Sequence, residues 1–71
     1  MNTLTEKINK QIAAYRLKIE CTDASIEDAV ALIRQDRTDT VAQMERARLN
    51  GVRQAYVQMI AELQELLLLA E

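Results

Sequence analysis

Residues 8–33 read INKQIAAYRLKIECTDASIEDAVALI, and the isoleucines at 12, 19, 26 and 33 recur at a strict seven-residue interval. Seven residues make two turns of α-helix with a small drift, so all four side chains project from one stripe of one helix. A second column runs half a heptad away: Ile8, Tyr15, Thr22 and Ala29. Together the two columns fill the a and d positions of a seam that must bury itself against another helix. Upstream, Thr3 or Thr5 can cap this helix, Glu6 lies near the positive end of its dipole, and Glu6 with Lys10 makes a favourable i,i+4 pair. Residues 21–25 offer a competing reading in which Ser25 with Asp28 caps a new helix. Ile19 and Ile26 keep phase across that segment, which favours one helix from about residue 4 to about 36.

Asp36-Arg37-Thr38-Asp39-Thr40 is a cluster of cap-forming residues between periodic segments, so a turn is expected at about residues 37–39. Thr40 with Gln43, or Thr38 with Asp39 behind it, can start a second helix running from about 40 to about 70. Its stripe reads Ala42, Glu45, Leu49, Val52, Tyr56, Met59, Leu63, Leu66 and Ala70, widened by Ile60 and Leu67. Asn50-Gly51 is a turn signal inside that stripe. Leu49, Val52 and Tyr56 hold their phase around it, so Gly51 reads as a close-packing point or slight kink. If the chain folds back at residues 38–39, facing residues carry numbers summing to about 77. Ile33 then meets Met44, Ile26 meets Val52, Ile19 meets Met59 and Ile12 meets Leu66. The same register sets Asp23 beside Arg53 and Lys18 within reach of Glu62.

The fold class expected is therefore all-α: a single antiparallel helical hairpin. It leaves apolar surface over. Helix one carries a weaker second stripe of Ala13, Ala14, Leu17, Cys21, Ala24 and Ala31, and helix two ends in Leu66-Leu67-Leu68-Leu69. At about 25 cal/mol per Å², one facing helix cannot satisfy all four leucines. Below about 80 residues a lone core seldom suffices without disulfides, metals or association. One Cys rules out an internal disulfide, and the absence of His argues against a structural metal site. A homodimer follows, as a four-helix bundle or as an intertwined coiled-coil dimer with exchanged arms. Periodicity alone leaves open whether the arms pair within one chain or between two. The dimer and core seam is assigned to Ile8, Ile12, Tyr15, Ile19, Ile26, Ile33, Val52, Tyr56, Met59, Leu63 and Leu66.

Function is written less plainly. No His stands beside Cys21 or a serine to act as base, so nucleophilic catalysis has no visible pair, and no cofactor is expected. Cys21 reads as a small apolar filler. Glu62 and Glu65, three residues apart, read as a solvated face rather than half a metal site. Arg34, Arg37, Arg46, Arg48 and Arg53 gather in the half nearest the turn and suit phosphate or partner contacts. Asp36, Asp39 and Glu45 offset them, and a net charge of −2 argues against a polyanion ligand. Salt bridging across the helix interface is the expected role of these arginines. The leucine tail could lie in the groove of another protein, although self-association is the commoner outcome. No apolar stretch reaches the roughly 18 residues of a membrane span, and the start lacks an apolar signal core, so a cytoplasmic location is expected.

Two heptad-patterned helices joined by a short polar link resemble the Rop-type hairpins, which dimerise into four-helix bundles and bind RNA. The resemblance implies the fold and carries no RNA-contacting residue across. In length and composition the chain also resembles the small all-helical accessory proteins encoded in early regions of lambda-like temperate phages. That likeness implies a small regulator acting on a protein partner in the bacterial cytoplasm of the host. Placing a charge in the seam should be decisive: Ile19→Asp or Ile26→Asp is expected to unfold the chain. Circular dichroism and the melting temperature of either variant test this, and retention of both would refute the seam.

Overall fold

A computed structural model describes residues 3–70 as two antiparallel helices, α1 (Thr3–Gln35) and α2 (Thr40–Ala70), joined by residues 36–39. Its Cα atoms fill a rod 54 Å long and 14 by 12 Å across. The chain is a helical hairpin.

The heptad of α1 is the face that packs. Ile8, Ile12, Thr22 and Ala29 are buried, and Tyr15, Ile19, Ile26 and Ile33 are half-buried. Thr22 is the one polar residue of that stripe, and it stays in the helix because its hydroxyl donates to the Lys18 carbonyl at 2.7 Å. Ser25 does the same to the Cys21 carbonyl at 3.2 Å. Short hydroxyl side chains can cap a new helix or bond back one turn. Here they bond back, and α1 runs on without a break.

On α2 the protected residues are Ala42, Leu49, Val52, Arg53, Tyr56, Ile60, Leu63, Leu67 and Ala70. At Glu45, which is exposed, and again beyond Tyr56 this differs from the stripe expected from sequence. Ile60 and Leu67 turn inward, while Met59 and Leu66 remain 39% and 50% exposed. Both stretches are apolar at adjacent positions, and the packing takes Ile60 and Leu67 inward; the cross-helix contacts of the hairpin, Arg53 on Asp23 and Tyr56 beside Tyr15, join numbers summing to 76 and 71. Met44, expected opposite Ile33, is 72% exposed instead. The Tyr15 and Tyr56 rings lie 5.7 Å apart at 41°, a tilted aromatic contact worth about 0.5–1.5 kcal/mol beyond its buried area.

Local hydrogen bonds hold the link between the helices. The Asp36 N–H donates to the Leu32 carbonyl at 3.0 Å, and the Asp39 N–H donates to the Asp36 carbonyl at 3.1 Å. The Asp39 carboxylate accepts from the Ala42 N–H at 3.0 Å. Asp39 is therefore the cap of α2, in place of Thr40 or Thr38, because it alone precedes the first helical residue and reaches the third amide. Gln43 reaches back to donate to the Arg37 carbonyl at 2.6 Å.

The hairpin interior is thin. Among the described residues no large side chain is sealed from solvent; Ile12 is still 5% exposed. The chain exposes 5518 Å², about 1,000 Å² more than a compact monomer of its mass. Gly51 is not a close-packing point. It sits in α2 with ordinary negative φ, and a Cβ built there meets nothing within 4 Å. Gly51→Ala should therefore stabilise the helix by about 0.5–1 kcal/mol. Thermal denaturation would register a raised midpoint; an unchanged or lowered one would contradict the open position.

Candidate functional site

The five arginines near the turn divide by partner. Arg53 crosses the helix interface, its Nε donating to Asp23 Oδ1 at 2.7 Å. Both side chains are nearly half exposed, so this ion pair adds at most about 1 kcal/mol. Its value lies in fixing register. Arg48 pairs along its own helix, Nε donating to Glu45 Oε2 at 3.1 Å. Arg34, Arg37 and Arg46 pair with no carboxylate among the described residues. They converge with Ile33 and Gln43 around a cleft of about 510 Å³ on one face of the turn end.

The acidic residues expected to neutralise this region are each engaged elsewhere. Asp36 Oδ1 accepts the Thr38 hydroxyl at 2.6 Å and the Thr38 N–H at 2.9 Å. Asp39 caps α2, and Glu45 holds Arg48. Interface salt bridging thus accounts for Arg53 alone. Three free guanidinium groups over an apolar floor can take carboxylate or phosphate oxygens bidentately.

The opposite face of the same end differs. Leu32, Val41 and Leu49 border a groove of about 440 Å³ rimmed by Asp28, Asp39 and Glu45. Val41 is 76% exposed. Sequence periodicity passed over Leu32 and Val41 because they fall outside the heptad. Their being out of phase was itself the signal that they point outward.

The remaining candidates sit as follows. Tyr15 and Tyr56 are half-buried, with Lys18 Nζ 5.3 Å and 5.8 Å from their ring centroids. Lys18 is drawn to the ring faces, a contact worth about 0.5–1 kcal/mol at such a site, and no Lys18–Glu62 ion pair forms. The rings face each other in the seam and offer no stacking platform to a base. Cys21, expected as a filler, is exposed. Glu62 and Glu65 are exposed on α2, and no group of three metal-ligating side chains gathers among the described residues. No described helix is long and apolar enough to cross a membrane. No family model matches the chain, and no curated protein or solved structure matches it either.

Two carboxylates here are held below their ordinary range. Asp36 is lowered by its hydrogen bonds from the Thr38 hydroxyl and then the Thr38 amide. Glu45 is lowered by the hydrogen bond from Arg48 and its charge. A folded-state pKa below the unfolded value adds stability that is full above the unfolded pKa and lost as pH falls through the folded one. Asp36 should therefore titrate below a free aspartate in an NMR pH series. Thr38→Ala should move it back up, and an unmoved midpoint would contradict the turn geometry.

Proposed function

We propose that the chain is a non-enzymatic helical interaction protein that works as a homodimer and engages a protein partner as a regulatory or accessory factor. The observation that carries this reading is the surface left over by the hairpin: about 1,000 Å² beyond a compact monomer. A standard interface buries roughly 800 Å² on each partner, so one twin copy accounts for the excess. The exposed side chains have the right chemistry, Val41, Met44, Leu66, Leu68 and Leu69 each being at least half exposed. Apolar surface on this scale marks an association site. Size-exclusion chromatography with light scattering should return twice the chain mass at low micromolar concentration. A stable monomer there would refute the dimer.

A second reading is supported by the three arginines without carboxylate partners. They favour an anionic ligand, and the Rop-type resemblance suggests RNA. The net charge of −2 and the absence of an exposed aromatic platform weigh against it. A gel-shift series over salt with Arg34→Ala/Arg37→Ala/Arg46→Ala separates the two. Binding that falls steeply with salt and vanishes in the variant would promote the nucleic-acid reading. Absence of any shift with RNA or duplex DNA supports the protein-interaction reading.

A further inference from the structure

A second stripe of α2 lies beside the intrachain seam and shares with it only the half-buried Val52. Val41, Arg48, Val52, Met59, Glu62 and Leu69 recur at helical spacing around a central Ala55. At 3.6 residues per turn this stripe lies roughly 110° around α2 from the residues that face α1. A helix in a four-helix bundle meets its two neighbours at about that angle. Val41, Met59 and Leu69 are 76%, 39% and 83% exposed, although each is apolar.

The stripe reads nearly the same in both directions. Arg48 and Glu62 stand seven residues to either side of Ala55, and Val41 and Leu69 stand fourteen. Val52 and Met59 flank the centre. Turning a second copy end for end about an axis near Ala55 sets apolar residue against apolar residue. It sets Arg48 level with the partner's Glu62 along the axis. A two-fold interface must be self-complementary in this manner.

Charge along α2 selects the antiparallel arrangement. Its first half carries Arg46, Arg48 and Arg53 against Glu45, while residues 54–70 carry Glu62 and Glu65 and no Lys or Arg. Antiparallel overlay mates opposite signs; parallel overlay would stack like on like. Arg48 already holds Glu45 on its own chain, with 60% of its side chain exposed. Five N–H donors let one guanidinium bridge two carboxylates.

We propose that this face of α2 is the homodimer interface, a two-fold antiparallel contact centred near Ala55 and closed by Arg48 to Glu62 ion pairs between copies. The inference rests on the dimer reading above and specifies its surface. It also places Met59 and Leu66, which the intrachain seam leaves out, at or beside the contact.

Charge reversal tests it. Arg48→Glu alone and Glu62→Arg alone each set like charges together twice across the axis, and each should weaken self-association about tenfold or more. An equimolar mixture of the two variants restores both pairs in a heterodimer, whose affinity should return near that of the unaltered chain. Circular dichroism of each variant checks that the hairpin persists. If the unaltered chain is monomeric, the dimer reading itself fails. If it is dimeric but the single variants associate undiminished, or the mixture gains nothing, the dimer stands and this surface is wrong.

Discussion

A stripe of isoleucines that spans α1 cannot remain in water, and every other feature of the hairpin follows from covering it. Burying each such side chain contributes roughly 1.5–3 kcal/mol. An isolated helix of this length cannot hold the stripe dry alone. The chain answers with a second helix of nearly equal length, Thr40–Ala70 against Thr3–Gln35. The two are joined at one end by the Asp36–Asp39 link and tied midway by Arg53 on Asp23. Beyond the middle, the tyrosine pair with Lys18 above it marks where the two stripes meet.

The same constraint leaves apolar surface that the hairpin does not cover. Two helices side by side protect one stripe each, and the hairpin leaves even its best-covered isoleucines slightly wet. Apolar residues on the outer flank of α2 stay exposed in the hairpin. In the proposed dimer they would form the second contact that each helix of a four-helix arrangement makes. The arginines of the turn end then acquire different roles by position: Arg53 within the hairpin, Arg48 along α2 and across the proposed axis, and Arg34, Arg37 and Arg46 around an open cleft.

Much of this was legible in the residues. The strict heptad of α1 marks the packing face at every position from Ile8 to Ile33, and the pairing of Asp23 with Arg53 follows from folding two equal arms. The second helix was harder, because it is apolar at both Met59 and Ile60 and at both Leu66 and Leu67. Periodicity cannot choose between adjacent apolar residues; only the packing against α1 does. Asp39 displaced the threonines as cap because the choice depends on where helical geometry begins, which local composition leaves open by a residue or two. Ser25 with Asp28 mimicked a helix start because the hydroxyl chemistry of a cap and of a backward bond to a carbonyl is the same. Which arginines stay free of carboxylates was not readable at all. It depends on side-chain directions and on prior claims upon Asp36, Asp39 and Glu45.

Nuclear Overhauser contacts measured on isotope-labelled chains diluted into unlabelled ones test the central claim most directly, since they separate contacts within a chain from those between copies. The account predicts intrachain contacts from the Ile26 methyls to Leu49 and between the Tyr15 and Tyr56 rings. Contacts from Ile26 to Met44, or seam contacts found only between chains, would contradict it.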